Sequence, residues 1–212
     1  LEEPIVYLYN TFQTDKYTNN YYSSYSINPV VTESSFILKE YLKRHKINSI
    51  VETTSVAKTL KENNLSYNNS YKGSRILLEK AAKNNKSLKY FLDIQIDNAG
   101  NDTKVTIANK DYATILFVVG SDFENYEANL KFANDLNDIL KSINPNLKSS
   151  VSIRGGANYH GIYNEDFSSK ALVIHIGGKS NTIDEVTRSI NILAETLALY
   201  IKEDTSHEKE EK

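Results

Sequence analysis

Short apolar runs alternate with amphipathic stretches along most of this chain. Residues 5–9, 47–51, 88–96, 115–119 and 171–176 are rich in β-branched and aromatic side chains, and each reads as a strand. Residues 115–119 are apolar throughout, the pattern of a strand buried on both faces. Residues 104–114 predict a hairpin turning near Asn109-Lys110, and residues 151–153 an edge strand. Between the strands the period changes. Leu38, Tyr41, Leu42 and His45 share one face of a helix that Thr32 can cap. Residues 55–61 and 74–83 predict short helices. Tyr126, Leu130, Ala133, Leu136, Leu140 and Ile143 keep helical spacing until Pro145 stops it. Thr182 and Glu185 have capping-box spacing, ahead of a long amphipathic helix marked by Ile183, Val186, Ile190, Leu193, Leu197 and Tyr200.

Strands alternating with helices predict a single three-layer α/β domain over residues 1–202, with a mostly parallel central sheet flanked by helices. Residues 203–212 are almost wholly polar and predict a disordered charged tail. Right-handed crossovers bring the loops after parallel strands to one sheet edge, where ligands bind in open α/β sheets. The loops after Tyr9, Val51, Ile96 and Ile176 are therefore the ones to search for chemistry.

Composition narrows the classes. Lys and Arg total 25 against 27 Asp and Glu, a net charge of -2, which gives no electrostatic case for nucleic acid. The chain has no cysteine, which excludes disulfides and thiolate zinc sites. No run approaches the ~20 apolar residues of a membrane span. The chain opens on Leu1 and has no methionine, so a processed or excised fragment is expected, with membrane association only through an anchor upstream.

Several polar and aromatic residues fall in those loops. The first loop reads Tyr9-Asn10-Thr11-Phe12-Gln13-Thr14-Asp15, the second follows Glu52, the third strand ends Asp93-Ile94-Gln95-Ile96-Asp97, and the last ends His175-Ile176-Gly177-Gly178. From residue chemistry alone, Phe12 reads as an apolar filler under a loop. Gln95 reads as a buried amide bonded to backbone, and Asp97 as the opener of a turn. His175 is either a satisfied core histidine or the partner of Asp15, Glu52 or Asp97 in a pocket. A metal site built from Glu52, His160 and His175 is the alternative use of the imidazoles. Arg75, read as opening a helix, sits against the dipole and so predicts an internal ion pair, or a carboxylate or phosphate ligand. Tyr17, Tyr21, Tyr22 and Tyr25 form a Tyr-rich loop, either a stacking or protein-contact surface or without a role.

The Y-N-T-x-Q-T loop, residues 67–75, 112–120 and 125–134, and Tyr163-Asn164-Glu165-Asp166 together resemble the catalytic domain of the stage II sporulation protein P family. These are N-acetylmuramoyl-L-alanine amidases acting on peptidoglycan during engulfment in spore-forming bacteria. The resemblance runs from about Val6 to Tyr200 and implies a zinc-amidase-like fold and a cell-envelope setting. It also implies zinc, through a histidine in the first loop and another at the end of the third strand, with a glutamate base before the last glycines. Those positions here are Phe12, Gln95 and His175, and the acid after the first-loop histidine is Asp15. Glu52 matches a family glutamate that completes the metal site.

A benzyl ring has no lone pair, and a carboxamide is a poor neutral donor beside imidazole. Without the metal, water's pKa stays far above the value of about 7 that zinc gives it, and it is not a nucleophile at neutral pH. The expectation is a pseudoenzyme without zinc or other cofactor, extracytoplasmic and membrane-anchored upstream. It would bind peptidoglycan or a cell-envelope protein through a pocket of Asp15, Glu52, Arg75, Gln95, Asp97 and His175. An active amidase with a rearranged metal site and a protein-interaction module with a collapsed former site are the alternatives.

Overall fold

Four strands of the central sheet, including the last in the chain, point one way; two strands from the middle of the chain point back. The computed structural model describes residues 3–18, 28–98 and 102–210. Strands β1 (Val6–Tyr9), β2 (Ser49–Val51), β3 (Tyr90–Asp97), β6 (Ile115–Gly120), β7 (Ser149–Arg154) and β8 (Ala171–Gly178) form one sheet in the order β2-β1-β3-β8-β6-β7. β1, β2, β3 and β8 are mutually parallel; β6 is antiparallel to β8, and β7 follows β6 in parallel. The sheet is thus mostly parallel, and the tips of β1, β2, β3 and β8 share one edge. β7 is an outer strand, as its mixed exposure requires. β4 (Lys104–Ile107) and β5 (Lys110–Ala113) form a separate hairpin through Ala108 and Asn109, both at positive φ, which is what a two-residue primed turn requires.

Helices α1 (Val31–Arg44), α4 (Tyr126–Ile143) and α5 (Ile183–Glu210) cover one face of the sheet. The main core lies there, between those helices and the inward side chains Val6, Leu8, Leu92, Ile94, Phe117, Leu172, Ile174 and Ile176. Helices α2 (Val56–Glu62) and α3 (Ser70–Asn84) flank the other face, where Tyr7, Tyr9 and Phe91 pack against Leu78. Period-2 alternation therefore sends Phe91, Asp93 and Gln95 of β3 and Val173 and His175 of β8 toward the α3 side.

Three local expectations need correction. Val30, not Thr32, is the N-cap of α1; Glu33 supplies the polar contact by accepting the Val30 N–H at 3.4 Å. α3 begins at Ser70, so Arg75 lies more than a turn inside the helix instead of opening it. α5 runs through residues 203–210, where polar composition predicts a disordered tail. Non-local bonds hold that extension: Asp204 accepts from Tyr90 Oη at 2.6 Å and from Lys170 Nζ at 2.9 Å, ahead of further turns supported by Thr205 and Ser206 hydroxyls. The capping box at the start of α5 forms as the spacing predicts, with Glu185 N–H on Thr182 Oγ1 at 3.3 Å and Thr182 N–H on Glu185 Oε2 at 3.1 Å.

Tyr17 belongs to the core: its ring is buried and its hydroxyl donates to Ile176 O at 3.0 Å. Tyr21, Tyr22 and Tyr25 lie outside the described residues.

Candidate functional site

The parallel register puts Gln95 directly beside His175 on neighbouring strands, both facing α3. Over them lies a cleft of about 420 Å³, lined among others by Phe12, Tyr71, Asp97, Arg154, Tyr159 and Tyr163. Phe12 arrives from the loop after β1 and Tyr71 from the first turn of α3. Arg154, Tyr159 and Tyr163 come from the end of β7 and the segment after it. A larger groove between α4 and α5, lined by Lys131, Lys170 and Asp204, lies away from the tips of the parallel strands.

Tyr71 is the centre of the aromatic wall. Phe12 meets it edge-on at 5.5 Å between ring centroids, His160 stacks on it at 4.6 Å, and Tyr163 meets it edge-on at 5.3 Å. Such offset and edge-to-face pairs contribute about 0.5–1.5 kcal/mol each beyond burial.

The floor is polar and almost fully satisfied. Asp93 is wholly buried and accepts the Thr11 N–H at 3.0 Å, Thr11 Oγ1 at 2.6 Å and Gln95 Nε2 at 2.9 Å. Burial nevertheless pushes its carboxyl up to about 6, with the Thr11 and Gln95 bonds opposing the shift. Gln95 Nε2 also donates to Tyr71 Oη at 3.1 Å. Beside them Asn10 Nδ2 donates to Ile94 O at 2.7 Å, and Asn164 Nδ2 donates to Ser74 Oγ and to Tyr71 O, each at 3.0 Å. Glu165, also buried, takes the Gly120 N–H at 2.5 Å and the Val173 N–H at 3.4 Å. Those are backbone donors where β6 and β8 part, and burial raises the Glu165 carboxyl well above the usual range. The motif residues Asn10, Thr11, Ser74, Asn164 and Glu165 thus act as ties between the first loop, α3 and the sheet.

His175 is the exception. It is 6% exposed, yet its Nδ1 makes no hydrogen bond, and Asp97 Oδ1 is 3.9 Å away. Burial first, then the Arg154 charge, depresses the imidazole to about 4, with Asp97 opposing. At neutral pH the ring is uncharged.

The other expected site residues go elsewhere. Asp15 borders a neighbouring hollow with Lys179, and burial raises its carboxyl. Glu52 accepts Tyr7 Oη at 2.6 Å and the Thr54 N–H at 2.7 Å, outside the cleft lining. Arg75 makes the internal ion pair the sequence predicts, with Glu79 at 2.7 Å and Asp166 at 2.8 Å. Of the six pocket residues expected, Gln95, Asp97 and His175 meet in one cleft, and Asp15, Glu52 and Arg75 do not. Tyr71, Arg154, Tyr159 and Tyr163 complete it; Tyr71 and Tyr163 lie in stretches that carry the family resemblance, whereas Arg154 and Tyr159 carry no local sequence signal.

The segment after β7 is fastened from below by Asp122. The Gly156 N–H donates to both its carboxylate oxygens at 3.0 Å. At Gly161, where φ is +78°, a Cβ would fall 2.0 Å from Asp122 Oδ2; at Gly155 it would fall 2.1 Å from Ser121 Oγ. Only glycine lets the chain wrap this closely around the carboxylate.

The donor set does not fit a three-ligand zinc centre. Phe12 supplies no lone pair, Gln95 offers only a neutral amide oxygen in place of imidazole, and Glu52 is bonded to Tyr7 and Thr54. His160 lies against the Tyr71 ring. Among the described residues no three His, Cys, Asp or Glu side chains gather as metal ligands, so Glu52, His160 and His175 are not assembled into one site.

Comparison with known proteins agrees with this architecture. The chain is 30% identical over 205 residues to stage II sporulation protein P of Bacillus subtilis (strain 168), covering 93% of this chain and 51% of that protein. It therefore spans about half the length of that curated relative. In fold it is similar to the CwlD amidase from Clostridioides difficile, solved in complex with the GerS lipoprotein (TM-score 0.54, 15% identity, 95% of this chain and 98% of that one). It is similar also to an N-acetylmuramoyl-L-alanine amidase from Clostridium difficile 630 (TM-score 0.54, 11% identity, 97% and 98%). A metallo-carboxypeptidase from Burkholderia cenocepacia shares the fold at TM-score 0.53 and 8% identity, covering 95% of this chain and 58% of that one. The family profile of stage II sporulation protein P matches residues 1–198, and with a sheet and helices of the amidase type around the strand tips, the chain belongs to that family.

Proposed function

We propose that this domain is a catalytically inactive relative of the peptidoglycan amidases that serves as a binding or regulatory module in the bacterial cell envelope. It would work outside the cytoplasmic membrane, tethered by a segment upstream, with peptidoglycan or an envelope protein as its partner. One observation carries the reading: where imidazoles would be needed to hold zinc, the Phe12 ring packs edge-on against Tyr71 and the Gln95 amide nitrogen is bonded to Asp93 and Tyr71. The base position is likewise changed, since a neutral imidazole at His175 replaces the carboxylate that would take a proton from water. Metal analysis of protein purified without chelator, with an assay for stem-peptide release from muropeptides, tests this. No bound zinc and no release is the expected result. One tightly held zinc per chain with release establishes the active amidase instead.

A second reading, a module whose working surface contacts another protein, is supported by the exposure of Tyr67 (62%) and Tyr159 (54%). Co-sedimentation with insoluble peptidoglycan separates the two. Retention favours the wall-binding version; failure to sediment, with capture of one envelope protein through the Tyr67 and Tyr159 surface, favours the other.

A further inference from the structure

The two edges of the sheet are guarded unequally. At one lies β2, whose three residues, Ser49–Val51, are too few to template another strand. At the other lies β7, whose six residues, Ser149–Arg154, pair with β6 in unbroken register and, among the described residues, with no strand on the outer side. Proline, a bulge and a mid-strand charge are the usual guards of such an edge, and β7 has none of them; its cations, Lys148 and Arg154, stand at the ends.

Two bonds fix the backbone parity of β7. The Ile115 N–H donates to Lys148 O at 3.1 Å, and the Ser121 N–H donates to Arg154 O at 3.0 Å. Alternate residues of a strand turn to the same neighbour, so residues 148, 150, 152 and 154 face β6. Ser149, Val151 and Ile153 turn their N–H and C=O groups outward. Among the described residues, the outward backbone groups of Val151 and Ile153 meet no partner. The side chains sort as well. Val151 is in register with Phe117 of the main core, and Ser149 Oγ donates to Asn137 Oδ1 of α4 at 2.8 Å. Ser149, Val151 and Ile153 therefore share the α4 face, where Ile153 is nonetheless 53% exposed. Lys148, Ser150, Ser152 and Arg154 lie on the other face.

We propose that β7 is a docking edge, which takes an extended segment of another protein as a seventh strand of the sheet. The chemistry of that segment follows from the two faces. It carries β-branched apolar residues against Val151 and Ile153, hydroxyl residues between them against Ser150 and Ser152, and a carboxylate at each end against Lys148 and Arg154. Lys148 also pairs with Asp102, so Arg154 sets the stronger charge preference. A second copy of this chain is the poorer occupant. The twofold pairing that uses all the outward residues centres on Val151, and it sets Lys148 of each copy against Arg154 of the other, like charge facing like.

The test is an NMR titration of the intact domain with acetyl-Glu-Val-Thr-Val-Thr-Val-Glu-amide, cut to match residues 148–154. One control is the same peptide N-methylated at its valines, which removes the donors that would meet β7; the other has Gln for both Glu. Shifts should centre on the Val151 and Ile153 amides. Methylation should weaken binding at least about tenfold, and Gln for Glu about threefold. Ile153→Pro removes an outward donor and an exposed side chain but no bond to β6, and should weaken binding at least about tenfold with the melting temperature nearly unchanged. If that variant is destabilised, the methylated peptide tests the same bonds on the unsubstituted protein. No binding at millimolar concentration, equal affinity of either control peptide, no loss in folded Ile153→Pro, or shifts confined to Tyr71, Gln95 and His175 in the cleft each overturns the proposal. A concentration-dependent dimer of the free domain that Ile153→Pro abolishes assigns the edge to a second copy instead. Zinc content and muropeptide release on the same sample judge the inactive reading without bearing on the edge.

Discussion

The floor of the cleft and its tips follow opposite rules. On the floor Asn10, Thr11, Asp93, Asn164 and Glu165 hold one another and the backbone through short, buried hydrogen bonds. At the tips Phe12 is held by ring contacts alone, and His175 leaves a nitrogen unbonded. Chain geometry depends on the first group, because each member satisfies backbone or side-chain groups that burial would otherwise penalise. It does not depend on the second, which is free to change its chemistry. The scaffold can thus keep its shape while the side chains at its strand tips vary, since the ties and the tip residues are different side chains only a residue or two apart.

The largest test of that division is Glu165→Ala, which strands the Gly120 and Val173 N–H groups and leaves a cavity. We expect a loss of about 3 kcal/mol in urea unfolding; a loss below about 1 kcal/mol would show that Glu165 is no tie.

The next effect is electrostatic. The Asp93 carboxyl, raised from 3.8 to about 6, binds its proton more readily folded than unfolded. Acidification through that window therefore stabilises the fold, and rising pH removes the benefit. His175, lowered from 6.5 to about 4, binds its proton less readily folded, so its contribution is present above pH 6.5 and lost as pH falls toward 4. Each is on the order of 3 kcal/mol, with opposite sign. Relative to the unsubstituted protein, Asp93→Asn should lose more stability between pH 6.5 and 4, and His175→Gln should lose less. Urea midpoints at three pH values check this; identical slopes for both variants would refute it.

Combining Phe12→His with Gln95→His places two imidazoles in the cleft with His175, and zinc affinity should rise at least about tenfold, or ~1.4 kcal/mol, by calorimetry. If it does not, the tips do not have the geometry of a metal centre. Smallest of all, Phe12→Ala should cost only about 1 kcal/mol of melting stability, because the ring is half-buried. A cost comparable to Glu165→Ala would erase the contrast between floor and tips.

The strands and the α5 capping box were legible in the sequence because each is a local pattern: period 2, period 3.6, or Thr182 and Glu185 at fixed spacing. The far end of α5 was not, because Tyr90 and Lys170, distant in the chain, hold Asp204. The site was half legible. Gln95, Asp97 and His175 follow from strand ends and alternation. Glu52 also leaves a strand tip, but its partner Tyr7 lies on the neighbouring strand, and no local pattern shows that bond. Arg154 and Tyr159 carry no local signal because β7 runs with β6, against the parallel half-sheet, and the segment after it reaches the cleft. No residue near Arg154 signals that reversal.

The clasp at Asp122 has an implication for how this protein can diversify. Gly155, Gly156 and Gly161 pin both ends of a short arc to one carboxylate, while residues 157–160, including Tyr159 and His160, project outward between the pins. The footing rests on Asp122 and the glycines, so exposed side chains on the arc such as Tyr159 can be exchanged over a fixed base. Relatives that retain the three glycines and the aspartate are expected to differ in what they recognise long before they differ in how they fold.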